Sequence, residues 1–237
     1  MTEVWVTLTT AQPRPDEWVV LLSALTALAV VTWSTSWQIS RGLVTIAHEG
    51  GHALMALLTR RKLQGIRLHS DTSGVTLTRG RPTGPGMILT AAAGYVAPSL
   101  LGLGGAWLTS SGYVAVLIAV VIALLICMLL LIRNLFGVVS LLATGGAIAA
   151  LTWYAPPDVD AIIAHLAVWF LLFGGIRPIL ELRRKRRYGR VPDSDADQLA
   201  RLTVLPAGVW VMLFLLVAVA SLAGGAYLLV PLPAGLG

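Results

Sequence analysis

Two histidines four residues apart flank a glutamate and two glycines at His48-Glu49-Gly50-Gly51-His52. On a helix, residues i and i+4 lie one turn apart on the same face, so both imidazoles can reach one zinc ion. Glu49 then stands beside the metal, placed to take a proton from attacking water. Random placement of this chain's four His and four Glu would give the spacing in roughly one chain in a thousand. The motif also sits within an apolar stretch. Ionisable groups at membrane depth are costly and mark functional sites. The plainer reading, a coincidental pattern on a packed helix, therefore carries little weight.

Two histidines do not complete a catalytic zinc site, which takes three protein ligands and keeps a fourth position open. The candidates for the third are His69, Asp71, His165, Asp193, Asp195 and Asp197. His165 lies at the wrong depth in its span and reads as a packed polar residue. His69 and Asp71 fall on a turn-rich segment that solvent should reach. The acids at 193, 195 and 197 open the last apolar segment, at the face where the zinc helix ends. Asp195 is the first choice and Asp197 the second. Asp193, nearest Pro192, is the best N-cap candidate, and capping competes with ligation for each of the three.

These residues must be positioned by membrane helices. The chain of 237 residues is 57% hydrophobic and 12% charged, far from a soluble domain and close to a polytopic membrane protein. The expected fold is all-α, a single integral membrane domain over 1–237. Seven spans are expected at about 18–33, 40–59, 86–108, 113–132, 135–153, 160–180 and 204–230. A short β-hairpin should follow the zinc helix. Pro13-Arg14-Pro15-Asp16-Glu17 before the first span is not the basic front of a signal peptide, so that span reads as uncleaved. Cys127 is the one cysteine, so no internal disulfide forms.

The net charge of +6 raises nucleic acid as a partner, but the basic residues flank apolar spans. Membrane orientation and anionic lipid explain them better, so no nucleic-acid partner is expected. With the N-terminus in the cytoplasm and alternating spans, all of the 17 Lys and Arg except Arg41 fall on the cytoplasmic side. The C-terminal end of the zinc helix then faces the cytoplasm. The run Arg183-Arg184-Lys185-Arg186-Arg187-Tyr188-Gly189-Arg190 reads as an anchor on anionic lipid.

Between the spans, residues 64–69 and 75–79 alternate around Ser70-Asp71-Thr72-Ser73-Gly74, the pattern of a β-hairpin. Its edge could hold an extended peptide by strand addition; a plain loop is an equal reading. Gly50-Gly51 costs helix stability and implies close approach of a neighbouring helix or a substrate strand. Gly94-Tyr95-Val96-Ala97-Pro98 should break its helix. Asn134 is a candidate for orienting a substrate carbonyl, against the simpler reading of a turn residue, and Arg133 reads as a snorkelling anchor.

The motif His48-Glu49-Gly50-Gly51-His52-Ala53 resembles the HExGH-type sequence of the site-2 protease family of intramembrane zinc metalloproteases. The hairpin at 64–79 and Ala93-Gly94-Tyr95-Val96-Ala97-Pro98 are similar to family elements in the same order. An early-span motif, the mid-chain Arg133-Asn134 pair and Ser194-Asp195-Ala196 before the last span resemble a compact bacterial branch. The family's usual third ligand is the Asp of an Asp-Gly pair, which this sequence lacks. No PDZ-like or cystathionine-synthase-like domain is recognisable. The resemblance implies a multi-pass protein of the bacterial cell membrane that binds Zn2+ and hydrolyses peptide bonds of membrane-anchored proteins near the cytoplasmic face. Competing readings are a catalytically silent zinc-binding scaffold, which has no use for Glu49, and a transporter, which should show paired polar helices in two halves.

Overall fold

The computed structural model describes residues 8–154, 157–189 and 193–230. The elements follow in order: α1 Glu17–Thr32, α2 Ser34–Leu58, β1 Lys62–Leu68, β2 Gly74–Arg79, α3 Pro85–Ser110, α4 Val114–Leu131, α5 Leu135–Tyr154, α6 Pro157–Tyr188, α7 Asp195–Leu202 and α8 Ala207–Leu229. Arg190 and Pro192, which entered the expectations above, lie outside the described residues.

Among the described residues, five helices (α3, α4, α5, α6 and α8) are each long and apolar enough to cross a membrane. The expected first two spans are different. α1 and α2 meet at Trp33 with a bend of 101° and count as at most one further span. The seven expected crossings therefore become five, or six with the bent pair.

The reason lies in how α2 packs. Its start is tied to α6 through Trp37 and Glu181, and its end packs Thr59 against Gly86 at the start of α3. α6 runs antiparallel to α3, with Val168 against Gly105, Leu172 against Gly102 and Ser99 against Gly175. Both ends of α2 thus lie in the half of the bundle that holds the hairpin and the end of α6. A helix of 25 residues confined to that half must lie steeply tilted.

α1 runs parallel to α6. Trp18 and Leu22 share a groove with Ile162 and Leu166, and Arg177 reaches the carbonyl of Val31. This changes the expected distribution of charge. Arg14 donates to the carbonyl of Ser110 at 3.1 Å, so it lies at the far end of the bundle from the hairpin. Arg41 pairs with Glu181 at 3.7 Å, at the basic end. The two arginines exchange sides relative to the sequence expectation, and the imbalance of charge is kept.

The expected hairpin is present. β1 and β2 pair antiparallel, with Leu68 opposite Gly74 and Lys62 opposite Arg79. An irregularity between Leu63 and Gly65 places Gly65 at φ +146°, where the Arg133 side chain and the Leu131 carbonyl leave no room for a Cβ. The outer edge of β1 is covered by the link between α4 and α5. Ile66 bridges Ile132, and Arg133 N–H donates to the carbonyl of Ile66 at 2.9 Å.

α3 runs unbroken through Pro98, where the sequence predicted a break. Pro98 and Ser99 are fully buried, and packing on several sides holds the turn despite the lost hydrogen bond. The last apolar segment is two helices. α7 is short and amphipathic, with Ala196 and Leu199 buried against Ala91, Ile179, Leu182 and Phe214.

A candidate metal centre

The centre is assembled from α2, α3, α7 and the hairpin. His48 and His52 project from one face of α2 as their spacing requires, with Nε2 atoms 3.1 Å apart. Asp195 Oδ2 lies 3.2 Å from His48 Nε2 and 3.3 Å from His52 Nε2. Donors bound tetrahedrally to one zinc at about 2.0–2.1 Å are about this far from one another. The three side chains form the only such metal-capable group of His, Cys, Asp and Glu among the described residues.

The tautomer of His52 also suits a metal. Its Nδ1 lies 2.7 Å from the carbonyl of Thr90, which can only accept. Nδ1 therefore carries the proton, and the neutral ring keeps a lone pair on Nε2, aimed at Asp195 and His48. His48 is set by the ring of Tyr95, edge-on at 4.8 Å, and Tyr95 stacks on Phe214 of α8 at 5.2 Å.

Two glycines let the elements close on the centre. A Cβ on Gly94 would fall under 3.0 Å from ring atoms of both histidines. Gly51 abuts Ala93 and Ala97 of α3, which fits the helix-packing reading of the paired glycines.

α7 decides among the three acids. Ser194 is its N-cap and accepts from Asp197 N–H, so the capping expected of Asp193 falls to its neighbour. The carboxylate of Asp197 turns to Arg186 and to the Ser194 hydroxyl. Burial raises its pKa, but Arg186 and Ser194 outweigh that and hold it below its ordinary value. Asp193 is exposed. Asp195 alone reaches the histidines. His69 and Asp71 hydrogen-bond Ser73 at the hairpin tip, and His165 is buried on α6 against the carbonyl of Ala161.

Glu49 is buried, and its Oε2 accepts from the Thr76 hydroxyl at 2.6 Å. Gly74 faces the same carboxylate, where a side chain would collide with it. Sequence reasoning missed Thr76 and Tyr95. Alternation in 75–79 put Thr76 on one hairpin face with Gly74 and Thr78, but nothing in the spacing showed that this face meets α2.

Asn134 is placed elsewhere. Its Oδ1 accepts from Leu68 N–H at 3.1 Å, and its Nδ2 donates to the Leu68 carbonyl at 2.6 Å. It does not line the cavity beside Glu49, which is bounded by Trp37, Arg41, Thr45, His48, Tyr95 and the tip residues 72–74, among others.

A helical bundle fit for a membrane, with a partly buried His-His-Asp group able to hold a metal ion and a buried glutamate beside it, fits the class of membrane-embedded metalloproteins. The chain belongs to the Peptidase M50B-like family, whose model matches residues 21–225. This is the site-2 protease family of intramembrane metalloproteases, so the resemblance carried by the His48–Ala53 motif holds over most of the chain. Comparison with curated proteins and with solved structures returned no match.

Proposed function

We propose that this protein is a zinc metalloendopeptidase that cleaves membrane-anchored proteins close to the basic, cytoplasmic end of its bundle, in a bacterial cell membrane. The observation that carries this reading is the meeting of His48, His52 and Asp195 beside buried Glu49. His48 Nε2, His52 Nε2 and Asp195 Oδ2 would hold the zinc, which when bound polarises the scissile carbonyl and acidifies water. Glu49 takes a proton from the attacking water as its oxygen bonds to the carbonyl carbon. It then gives that proton to the amine as the C–N bond breaks. The Thr76 hydroxyl orients Glu49, and Thr90 fixes the His52 ring. The outer edge of β2 has no strand partner among the described residues, and an extended substrate can lie along it. Asn134 serves substrate binding indirectly, by fixing β1.

Purified protein in detergent or nanodiscs tests the reading with a membrane-anchored peptide and metal analysis. Wild type should hold one zinc and cleave. Glu49→Gln should hold zinc and not cleave. Full turnover by Glu49→Gln would overturn the assignment, and a zinc-loaded but inert wild type would favour the silent scaffold.

A further inference from the structure

The cavity of about 170 Å³ beside Glu49 extends along α2 to Arg41. Trp37 and Arg41 in its lining belong to a cluster that the hydrolytic mechanism does not use. Glu181 Oε1 accepts from Trp37 Nε1 at 2.9 Å and from Arg177 Nε at 3.2 Å. Arg177 also stacks over Trp37, 4.9 Å from the ring, and donates to the Val31 carbonyl. Arg177 thus has two acceptors and a ring face. For Arg41, the ion-pair partner among the described residues is Glu181 Oε2 at 3.7 Å, beyond hydrogen-bond distance, and the Trp37 ring lies at 5.9 Å. Two guanidiniums share one carboxylate. Among the described residues the cluster carries one uncompensated positive charge, and Arg41 lines the cavity.

We propose that Arg41 anchors a carboxylate side chain, Asp or Glu, on the substrate, about three residues from the peptide bond presented to Glu49. The inference rests on the protease reading above. Arg41 precedes His48 by seven residues, two helical turns or about 10 Å along α2. An extended peptide covers that distance in about three residues at about 3.3 Å each. The guanidinium fork binds a carboxylate bidentately, and a partly desolvated cation at the membrane boundary gains most from such a partner. A lipid phosphate is the less favoured occupant. The cavity is small, about 170 Å³, and bounded at this end by Thr72, Ser73 and Gly74, a tip tied to α2 by the Thr45 hydroxyl, which donates to the Thr72 carbonyl at 2.7 Å.

The test uses one transmembrane peptide with a single Glu walked through the region of the cut, and Gln controls, in phosphatidylcholine nanodiscs. Cut positions are read by mass spectrometry. Wild type should favour peptides with Glu about three residues from the cut by about tenfold in kcat/KM, the scale of one charge-assisted hydrogen bond. Arg41→Gln should lose that preference, Arg41→Lys should keep part of it, and Arg41→Glu should prefer Lys at the same place. A Glu preference that survives in Arg41→Gln, or no preference in wild type, overturns the proposal. Peptide affinity for the full-length Glu49→Gln protein gives a second reading that needs no turnover. If no peptide is cut, the protease reading fails, while a Glu-over-Gln affinity difference lost in Arg41→Gln still upholds the anchor. Should phosphatidylglycerol abolish the preference by competing at Arg41, the headgroup is the occupant and the proposal falls.

Discussion

The α4–α5 pair and the α2–α3–α7 cluster use opposite compositions for opposite jobs. α4 is a continuous apolar run whose only non-aliphatic residues are Cys127 and Met128. It buries just Val114, Leu117, Ile118 and Met128, while Leu124, Ile126 and Leu130 face outward. α5 buries only Gly137 and Leu141. α2 is the more polar helix, and it buries Trp37, Glu49, Gly51 and His52. In water, apolarity marks the inside. In a bilayer the lipid is as apolar as leucine, so apolarity says little about burial. Glycines and ionisable side chains mark the packed side instead, because only there can backbones approach and charges find partners.

The comparison breaks hardest at the ligands. His48→Ala and His52→Ala should each remove bound zinc and all measurable proteolysis, read by metal analysis and a cleavage assay. Leu130→Ala on the outer face of α4 should leave both near wild type. Glu49→Gln should keep zinc and lose about 10²–10⁴-fold in turnover. Measurable cleavage by either alanine variant at wild-type zinc content would place the metal elsewhere.

Next come the two neighbouring acids of α7. Asp195→Ala should cut zinc affinity by about 100-fold or more, since it deletes a direct ligand. Asp197→Ala should cost about 1 kcal/mol of stability through the lost cap contact and ion pair, with zinc content unchanged. Equal zinc loss in both would mean that α7 acts only as a prop.

A glycine pair sharpens the contrast further. Gly94→Ala drives a methyl group into both histidine rings and should weaken zinc binding at least about tenfold, on the scale of disturbed ligand orientation. Gly146→Ala on α5 meets nothing within 4 Å and should leave zinc binding unchanged while raising stability by no more than about 1 kcal/mol, the helix-propensity gain. A smaller effect is expected at Thr76. Thr76→Val should lower kcat about tenfold with zinc retained, and Thr76→Ser should restore it. Failure of the serine rescue would make Thr76 a packing residue rather than an orienting one.

Cysteine labelling from either side tests the revised arrangement of the first two helices. In a Cys127→Ala background, Arg14→Cys and Ser111→Cys should label from one side and Tyr188→Cys from the other. Labelling of Arg14→Cys together with Tyr188→Cys would restore α1 and α2 as two separate crossings.

The membrane class, the hairpin and the placing of His48 and His52 on one helix face were legible in the sequence, because each depends on local periodicity: 3.6 residues per turn for the histidines, two for the strands, and the length of an apolar run for a span. Asp195 was legible as one of three acids, since Ser and Asp residues before an apolar pattern mark a helix start, but choosing among them required knowing that Ser194 is the cap and that Arg186 and Ser194 occupy Asp197. Hydropathy also read α1 and α2 as two crossings. The helix after the bend at Trp33 is held to α6 by Trp37 and Glu181, 144 residues apart in sequence, and no window along the chain contains both. The same holds for Thr76 on Glu49, Gly94 beneath the histidines and Arg41 in the cavity. Tertiary packing decided these because they are distances between elements, and a linear pattern fixes which face a residue occupies but not which other face it meets.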